Sequence, residues 1–230
     1  MTHTLTLQHR ELLTHNVVHL TFDRPAGYGF VPGQANHWDL PVDGMRDAGK
    51  PFTITSLPDE NHLEFVIKIY PVAQHPDHDG VTEHIGTMRP GDTVAVDEAS
   101  GDIADKGAGI FIAGGAGITP FIPILKARAA NNAQADCTLI YSNRHQRDII
   151  LRDTWERMPG LSTVFTVTEQ EGGPLPRCEI DVPFLRKTLG SLDHRFYVCG
   201  PPPMMKAVIA ALRSEGVPDE NIVVETKWLA

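Results

Sequence analysis

The segment of residues 109–120 constrains the fold more than any other part of this sequence. An apolar run at residues 110–113 precedes a turn that ends in Thr119 and Pro120. A short apolar run bounded by glycines predicts a buried strand, and the Thr-Pro pair predicts a helix with Thr119 as its N-cap and Pro120 as its first residue. The turn contains three glycines, Gly114, Gly115 and Gly117.

These glycines permit positive φ angles and the close approach of another backbone or of a ligand. A strand, a glycine turn and a helix N-terminus together predict a cradle for an anion such as a pyrophosphate. The spacing from Gly115 is G-x-G-x-x-P, which departs from the usual dinucleotide fingerprint at Pro120. A purely structural turn is therefore the alternative for this segment taken alone.

From about residue 107 onward, strand-like runs alternate with helical stretches. The predicted strands are residues 110–113, 138–141, 163–167, 196–199 and 222–225. The predicted helices are residues 120–130, 148–158, 182–189 and 203–215. Such alternation predicts an α/β doubly wound parallel sheet that binds ligands at the carboxyl ends of its strands.

The first hundred residues have a different pattern, in which short predicted strands are separated by turns that contain Pro and Gly. The predicted strands are residues 4–9, 17–23, 36–40, 52–56, 63–70 and 93–96, with one helix at 81–87. Six such strands predict an antiparallel β-barrel. A Gly-, Asp- and Ala-rich stretch at residues 100–108 suggests two domains, 1–103 and 104–230.

The composition bears on partners and location. The chain has 20 basic and 29 acidic residues, a net charge of −9, which argues against nucleic acid as a partner. The three cysteines include no C-x-x-C pair, so neither an iron–sulfur centre nor a disulfide framework is expected. No apolar run approaches the ~18 residues of a membrane helix, and no apolar leader follows the start. We therefore expect a cytoplasmic protein with no membrane partner.

A histidine-rich loop is the stretch that most suggests a metal. His75, His78 and His84 lie near Asp77 and Asp79, but in a loop whose spacing matches no helix-face or ribbon pattern of ligands. We expect a surface loop there, and no metal site.

Four separated segments resemble the motifs of the ferredoxin–NADP reductase superfamily, whose members join a flavin-binding barrel to a nicotinamide-binding domain. Residues 50–56, KPFTITS, resemble the family's barrel motif, and residues 80–82 resemble its glycine-led helix start. Residues 114–120 and 197–204, the latter YVCGPPPM, resemble its two nicotinamide motifs. The resemblance runs across nearly the whole chain and implies an FAD-dependent NAD(P)H oxidoreductase.

The resemblance implies roles for the residues of the barrel motif. Lys50 would pair with the flavin diphosphate, without the bidentate fork of the family's arginine. Phe52 would pack on the flavin without the family's tyrosine hydroxyl, and Thr53 would place its hydroxyl near the flavin N5 as a catalytic residue. The other flavin-binding residues implied are Pro51, Thr55, Gly80, Val81 and Thr82. FAD is the expected cofactor, and the departures at Lys50 and Phe52 leave FMN open.

Cys199 stands at the end of a predicted parallel strand, where the reactive end of a ligand should lie. The resemblance places it beside the nicotinamide C4, where it would orient hydride transfer as a catalytic residue; a small core residue is the alternative. The other residues implied for the nicotinamide dinucleotide are Gly114, Gly115, Gly117, Thr119, Pro120, Arg144, Glu169, Gly200, Pro201 and Met204.

Glu169 and Arg144 bear on which nicotinamide is used. Glu169 follows the third strand of the predicted parallel sheet and would repel a 2′-phosphate, which favours NADH. Arg144 follows the second strand and could supply positive charge for NADPH, so both nicotinamides stay open.

The C-terminus resembles that of family members that end in an acidic residue and an aromatic covering the flavin. Glu225, as a catalytic residue, and Trp228, on the flavin, would fill these roles. Lys227 stands where many relatives have tyrosine, and two residues follow Trp228, so a core or exposed Trp228 is the alternative.

The resemblance implies that hydride passes from NAD(P)H to the flavin and that electrons then leave to a ferredoxin- or flavodoxin-like carrier or a separate oxygenase component. A reductase of free flavin or ferric chelates is the second interpretation, favoured by the acidic net charge. A non-catalytic flavin-binding subunit of a larger redox complex is the third.

Overall fold

The computed structural model describes residues 2–40, 50–226 and 229, with Lys50 described by its backbone alone. The chain divides into two compact units, Met1–Gly101 and Asp102–Ala230. Within the described ranges, no helix has the length and apolar character needed to cross a membrane.

The first unit is built on an antiparallel sheet of six strands. They are β1 (His3–Thr14), β2 (Val17–Asp23), β3 (Ala35–Asp39), β4 (Lys50–Thr53), β5 (His62–Lys68) and β6 (Thr93–Val96). The spatial order is β4-β3-β6-β1-β2-β5. Buried apolar side chains alternate with more exposed ones along β2, where Val18, Leu20 and Phe22 face the core. This period of two is what a sheet with one buried face requires.

The two end strands of this sheet meet, which closes it into the predicted barrel. Ile54, just beyond β4, forms an antiparallel bridge with Phe65 of β5. The amide of Ile54 donates to the carbonyl of Gln34 at 3.0 Å, and the amide of Thr55 donates to the carbonyl of Glu64 at 2.7 Å. Closure pairs edge groups that an open sheet would leave exposed.

Trp38 lies at the centre of the barrel core. Its ring meets those of Phe22, Phe52 and Phe65 edge-on, with centroids 4.9–5.3 Å apart. Its indole N–H donates to Oδ1 of the buried Asn36 at 2.9 Å, so the polar edge of the ring is satisfied. Helix α1 (Val81–Thr87) buries Val81 and Ile85 against the same core.

The second unit is a parallel sheet covered by helices on both faces. Its strands are β7 (Ile110–Gly114), β8 (Thr138–Asn143), β9 (Ser162–Val167), β10 (Phe196–Cys199) and β11 (Ile222–Val223). Its helices are α2 (Phe121–Ala130), α3 (Arg152–Arg157), α4 (Val182–Leu189) and α5 (Pro202–Ser214). The strand order is β11-β10-β7-β8-β9. The chain proceeds from β7 outward to β8 and β9, and then crosses to β10 and β11 on the other side of β7. The doubly wound fold is confirmed, with its topological switch point between β7 and β10.

The start of α2 differs from the sequence prediction. Residues Gly115–Ile118 form a 3-10 turn, Thr119 has helical dihedrals of −57° and −43°, and α2 begins at Phe121. Thr119 is therefore not an N-cap, and Pro120 is not the first helical residue. The physical reason is that the Thr119 hydroxyl donates back to the Ala116 carbonyl at 3.0 Å, which continues the tight turn.

Several other boundaries also differ from the prediction. Strand β1 runs to Thr14 and not only to residue 9, and β4 spans Lys50–Thr53 and not residues 52–56. Helix α3 begins at Arg152, not at residue 148, because Leu151 adopts a left-handed φ of +55° that interrupts the helical path. Strand β11 ends at Val223, so Glu225 lies beyond the strand predicted to carry it.

Candidate functional site

The carboxyl ends of β7 and β10 lie side by side at the switch point of the second unit. Cys199 pairs with Ala113 in the parallel register, so the glycine turn after β7 and the chain after Cys199 leave the sheet together. Parallel sheets bind ligands in the crevice at this position. The sequence-predicted residues of the two nicotinamide motifs therefore share one edge of the sheet.

Three glycines allow these segments to pack closely against each other. A Cβ on Gly117 would overlap the Cys199 carbonyl group, and a Cβ on Gly114 would overlap the Met204 sulfur. A Cβ on Gly200 would lie 3.1 Å from the Gly114 Cα. Because backbone atoms cannot move aside as a flexible side chain can, Gly117 admits no larger residue without displacing Cys199.

Gly115 has the opposite environment. Its φ is +53°, and a Cβ built there would meet no atom within 4 Å. The turn thus presents bare backbone at the edge of the sheet, which suits the close approach of a diphosphate. Gly115 supplies the positive φ expected from the sequence, whereas Gly114 is extended at φ −123°.

Tyr141 on β8 holds this turn in place. Its hydroxyl donates to the Gly115 carbonyl at 2.8 Å, and complete burial raises the pKa of this phenol, so the group remains a donor. Sequence reasoning treated Tyr141 as a strand residue only. The available signal was a tyrosine inside an apolar run, whose buried hydroxyl requires a partner.

The other residues of this edge are placed as follows. Cys199 and Met204 are half-buried, Pro201 is exposed, and Pro120 is buried at the start of α2. The cradle therefore combines rigid, close-packed backbone with a partly accessible Cys199, and such a site fits a dinucleotide.

Arg144 and Glu169, considered as opposing signals in the sequence, form a pair. The guanidinium Nε of Arg144 lies 3.3 Å from Oε1 of Glu169, and both side chains are exposed. The Glu169 amide also donates to the Arg144 carbonyl at 3.0 Å. The positive charge beyond β8 is thus partly neutralised by the carboxylate beyond β9.

The segment that carries Glu225 is anchored at its next residue. The Thr226 hydroxyl and amide donate to Oδ2 of Asp102 at 2.5 and 2.8 Å. These two bonds, the hydroxyl one first, hold the pKa of Asp102 below its usual value. Glu225 is half-buried. Trp228 and Lys227 lie outside the described residues.

The barrel motif of the first unit lies along its closing strand. Pro51, Phe52 and Thr53 belong to β4, and Thr55 is buried just beyond it. Phe52 and Thr53 are half-buried, and the Phe52 ring rests on Trp38 with centroids 5.0 Å apart. The side chain of Lys50 lies outside the described residues. Phe52 and Thr53 therefore offer an apolar face and a hydroxyl on one rigid strand.

The second flavin motif, residues 80–82, lies at the start of α1, which follows β5 in the chain. Gly80 has a φ of +81°. The Val81 amide donates to the Asp79 carboxylate at 3.2 Å, and the Thr82 hydroxyl oxygen accepts from the Tyr70 amide at 3.1 Å. The Thr82 hydroxyl keeps its hydrogen to donate to a ligand. Sequence reasoning missed Tyr70, which fixes this hydroxyl and stacks on His78 with ring centroids 4.4 Å apart.

Two family models match the chain, one for each unit. Residues 4–104 match the oxidoreductase FAD-binding domain, and residues 111–209 match the oxidoreductase NAD-binding domain. FAD and a nicotinamide dinucleotide are therefore the ligands of these two domains, as the glycine cradle at the switch point and the Phe52–Thr53 strand allow.

Curated relatives extend the likeness across both domains. The chain is 31% identical to NADH–cytochrome b5 reductase 1 of Arabidopsis thaliana over 92% of this chain and 79% of that protein. It is 28% identical to NADH-cytochrome b5 reductase 2 of Mycosarcoma maydis over 88% of this chain and 63% of that protein. The chain thus spans less than two thirds of the second relative's length.

The fold also matches solved structures. A ferredoxin NADP+ reductase from Neisseria gonorrhoeae with bound FAD and NADP superposes with a TM-score of 0.76 at 20% identity, covering 94% of this chain and 92% of that one. This likeness shows a shared fold.

We predict that Gly117→Ala weakens NAD(H) binding by at least about fivefold while FAD stays bound, because the new Cβ displaces the Cys199 carbonyl, at a cost of about 1–3 kcal/mol for overpacking. Isothermal titration of the FAD-loaded variant measures this. Gly29→Ala is the matched control, since a Cβ there meets nothing within 4 Å and should leave both ligands unaffected. Unchanged NAD(H) affinity in Gly117→Ala would show that the glycine turn after β7 is not part of the nicotinamide dinucleotide site.

Proposed function

Because the chain belongs to the ferredoxin–NADP reductase superfamily and is an FAD-dependent NAD(P)H oxidoreductase, we propose that it oxidises NADH and delivers the electrons to a carrier protein. The observation that carries the proposal is the glycine cradle packed against Cys199 at the switch point of the NAD-binding domain. Residues 104–230 would hold the nicotinamide dinucleotide, and residues 1–103 would hold FAD.

FAD, when bound, supplies the redox chemistry, since it takes up a hydride and can release electrons singly. The residues of this chain bind and orient the reactants. Gly115 would offer its backbone to the dinucleotide diphosphate. The half-buried Cys199 ends the adjacent strand, where it would align the nicotinamide ring.

In the FAD-binding domain, Thr53 would donate its hydroxyl to the flavin ring and Phe52 would pack on the ring. The Thr82 hydroxyl, held by the Tyr70 amide, would donate to the flavin diphosphate. The Asp79 carboxylate, which accepts from the Val81 amide, would have to turn away from that diphosphate, because the two anions would compete for the same amide and repel each other. Glu225, which precedes the anchored Thr226, would serve as an acidic catalytic residue, and Trp228 would cover the flavin.

NADH is the favoured reductant for three reasons. The exposed carboxylate of Glu169 would accept a hydrogen bond from a ribose 2′-hydroxyl and would repel a 2′-phosphate. Its partner Arg144 is engaged with that carboxylate at 3.3 Å and so is a weak phosphate site. Both curated relatives are named as NADH reductases.

We predict that Glu169→Gln raises the ratio of kcat/KM for NADPH to that for NADH roughly fivefold, because an exposed charge interaction is worth up to about 1 kcal/mol. The substitution removes the repelling charge and releases Arg144. Glu171→Gln is the matched control, because Glu171 is an exposed neighbour that pairs with Arg177 at 2.6 Å. An unchanged ratio would exclude Glu169 from the nicotinamide site.

A carrier protein is the proposed acceptor because the curated relatives are named for cytochrome b5, a one-electron carrier. Transfer to a separate oxygenase component uses the same one-electron step. Reduction of free flavin or ferric chelates is the second candidate, favoured by the net charge of −9, which opposes docking to an acidic carrier.

We predict that the FAD-loaded protein turns over NADH with a purified one-electron carrier protein at a higher kcat/KM than with free FMN or ferric citrate. We also expect the carrier rate to depend on salt concentration, since docking surfaces are charged. Equal or higher efficiency with the small acceptors would favour the second candidate. No turnover with any acceptor would favour a non-catalytic flavin-binding subunit.

A further inference from the structure

The outer face of the barrel carries a group of titratable side chains that the proposed function does not use. Glu60, His62 and Glu64 each bring a possible ligand atom into a group whose members all lie within 4.8 Å of one another. His62 Nε2 lies 3.2 Å from Glu64 Oε1 and 3.9 Å from Glu60 Oε2. In the part of the chain that the structure describes, no other three His, Cys, Asp or Glu residues come this close.

We propose that Glu60, His62 and Glu64 form a binding site for a divalent transition-metal ion such as Zn²⁺. The site offers one imidazole nitrogen and two carboxylate groups. An imidazole suits zinc and its neighbours, whereas calcium and magnesium prefer oxygen ligands alone. The donor set therefore favours a transition metal.

The spacing of the donor atoms fits a tetrahedral ion. Bonds of about 2.0–2.1 Å place neighbouring ligand atoms about 3.3 Å apart. The two separations from His62, 3.2 and 3.9 Å, lie close to that value, and the carboxylates of Glu60 and Glu64 lie within 4.8 Å of each other, so coordination requires these two carboxylates to close around the ion. The side chains of Glu60 and His62 are about one third exposed, which leaves water free to complete the coordination.

The local structure brings these residues together at sequence positions two apart. His62 and Glu64 point to the same side of β5, while the intervening Leu63 is in the core. Glu60 belongs to the preceding turn, where its Oε2 accepts from the Leu57 amide at 2.7 Å. Arg24 donates to the Glu60 carbonyl at 2.8 Å and fixes the same turn.

A second layer of side chains orients Glu64. Its other oxygen, Oε2, lies 3.5 Å from Nε2 of His19 on β2, and Nδ1 of His19 lies 2.9 Å from Oε1 of Glu11 on β1. This carboxylate–imidazole–carboxylate chain keeps Oε1 of Glu64 turned towards His62. Such outer contacts are what fix the ligands of known metal sites. His19 is thus a positioning residue for the site.

The location differs from the histidine loop that the sequence brings to attention. His75 and His78 pack around the ring of Tyr70, with centroids 5.2 and 4.4 Å away. Their imidazole rings contact the Tyr70 ring there. The proposed site revises the sequence expectation of no metal, because its residues converge only through the turn after β4 and the register of three strands.

The test is titration of the chelator-treated, FAD-loaded full chain with Zn²⁺ alone, by isothermal calorimetry. We expect one zinc per chain. We expect His62→Gln to weaken binding at least 100-fold and His19→Gln to weaken it about tenfold, as loss of an outer-layer partner does. His37→Gln is the matched control: His37 is an exposed imidazole 3.0 Å from Asp97, and its loss should leave zinc affinity unchanged.

X-ray absorption at the zinc edge provides a readout independent of NADH oxidation. We expect a nitrogen and oxygen shell without sulfur. Zinc affinity retained in His62→Gln, lost in His78→Gln, or accompanied by a sulfur ligand would overturn the proposal. If His62→Gln melts below the wild-type protein without zinc, Glu60→Gln replaces it, with the same expected loss of affinity. None of these results bears on hydride transfer.

Discussion

The close backbone approach between the glycine turn after β7 and the chain after β10 is the constraint on which the NAD-binding domain depends. Gly117 leaves no space for a Cβ because the Cys199 carbonyl occupies it, and Gly114 similarly accommodates Met204. The reversal of strand order places these segments side by side, and the Tyr141 hydroxyl fixes the turn from β8. A rigid crevice with bare backbone at Gly115 follows from these contacts, and it suits a dinucleotide better than a site built from flexible side chains.

The FAD-binding domain depends on a different constraint, the closure of its barrel. The Ile54–Phe65 bridge joins the strand that carries Phe52 and Thr53 to β5. The chain leaving β5 then supplies the Tyr70 amide that holds Thr82 at the start of α1. One strand therefore positions both flavin motifs. The Trp38 ring, satisfied by Asn36, supports Phe52 from the core side, so burial of aromatic surface stabilises the motif.

Local signals were sufficient for most of the architecture. Strands β2, β6 and β10 and helices α1 and α4 have the predicted bounds, because apolar periodicity and Gly or Pro punctuation act within a few residues. The remaining features depend on hydrogen-bond partners that compete with the predicted ones, or on contacts between residues far apart in the sequence. The Thr119 hydroxyl had a nearby carbonyl as an alternative to capping. The Arg144–Glu169 pair joins residues just beyond two strands, and the Glu11–His19–Glu64 chain joins residues on three strands; no single-sequence pattern reports either contact.

The central claim is that this chain uses FAD to oxidise a nicotinamide bound at the glycine cradle. An anaerobic titration of the FAD-loaded protein with NADH, followed by the absorbance of the oxidised flavin, tests it most directly. The account predicts rapid and stoichiometric bleaching by NADH, and slower bleaching by NADPH. An oxidised flavin that stays bound and unbleached by either nicotinamide would contradict it.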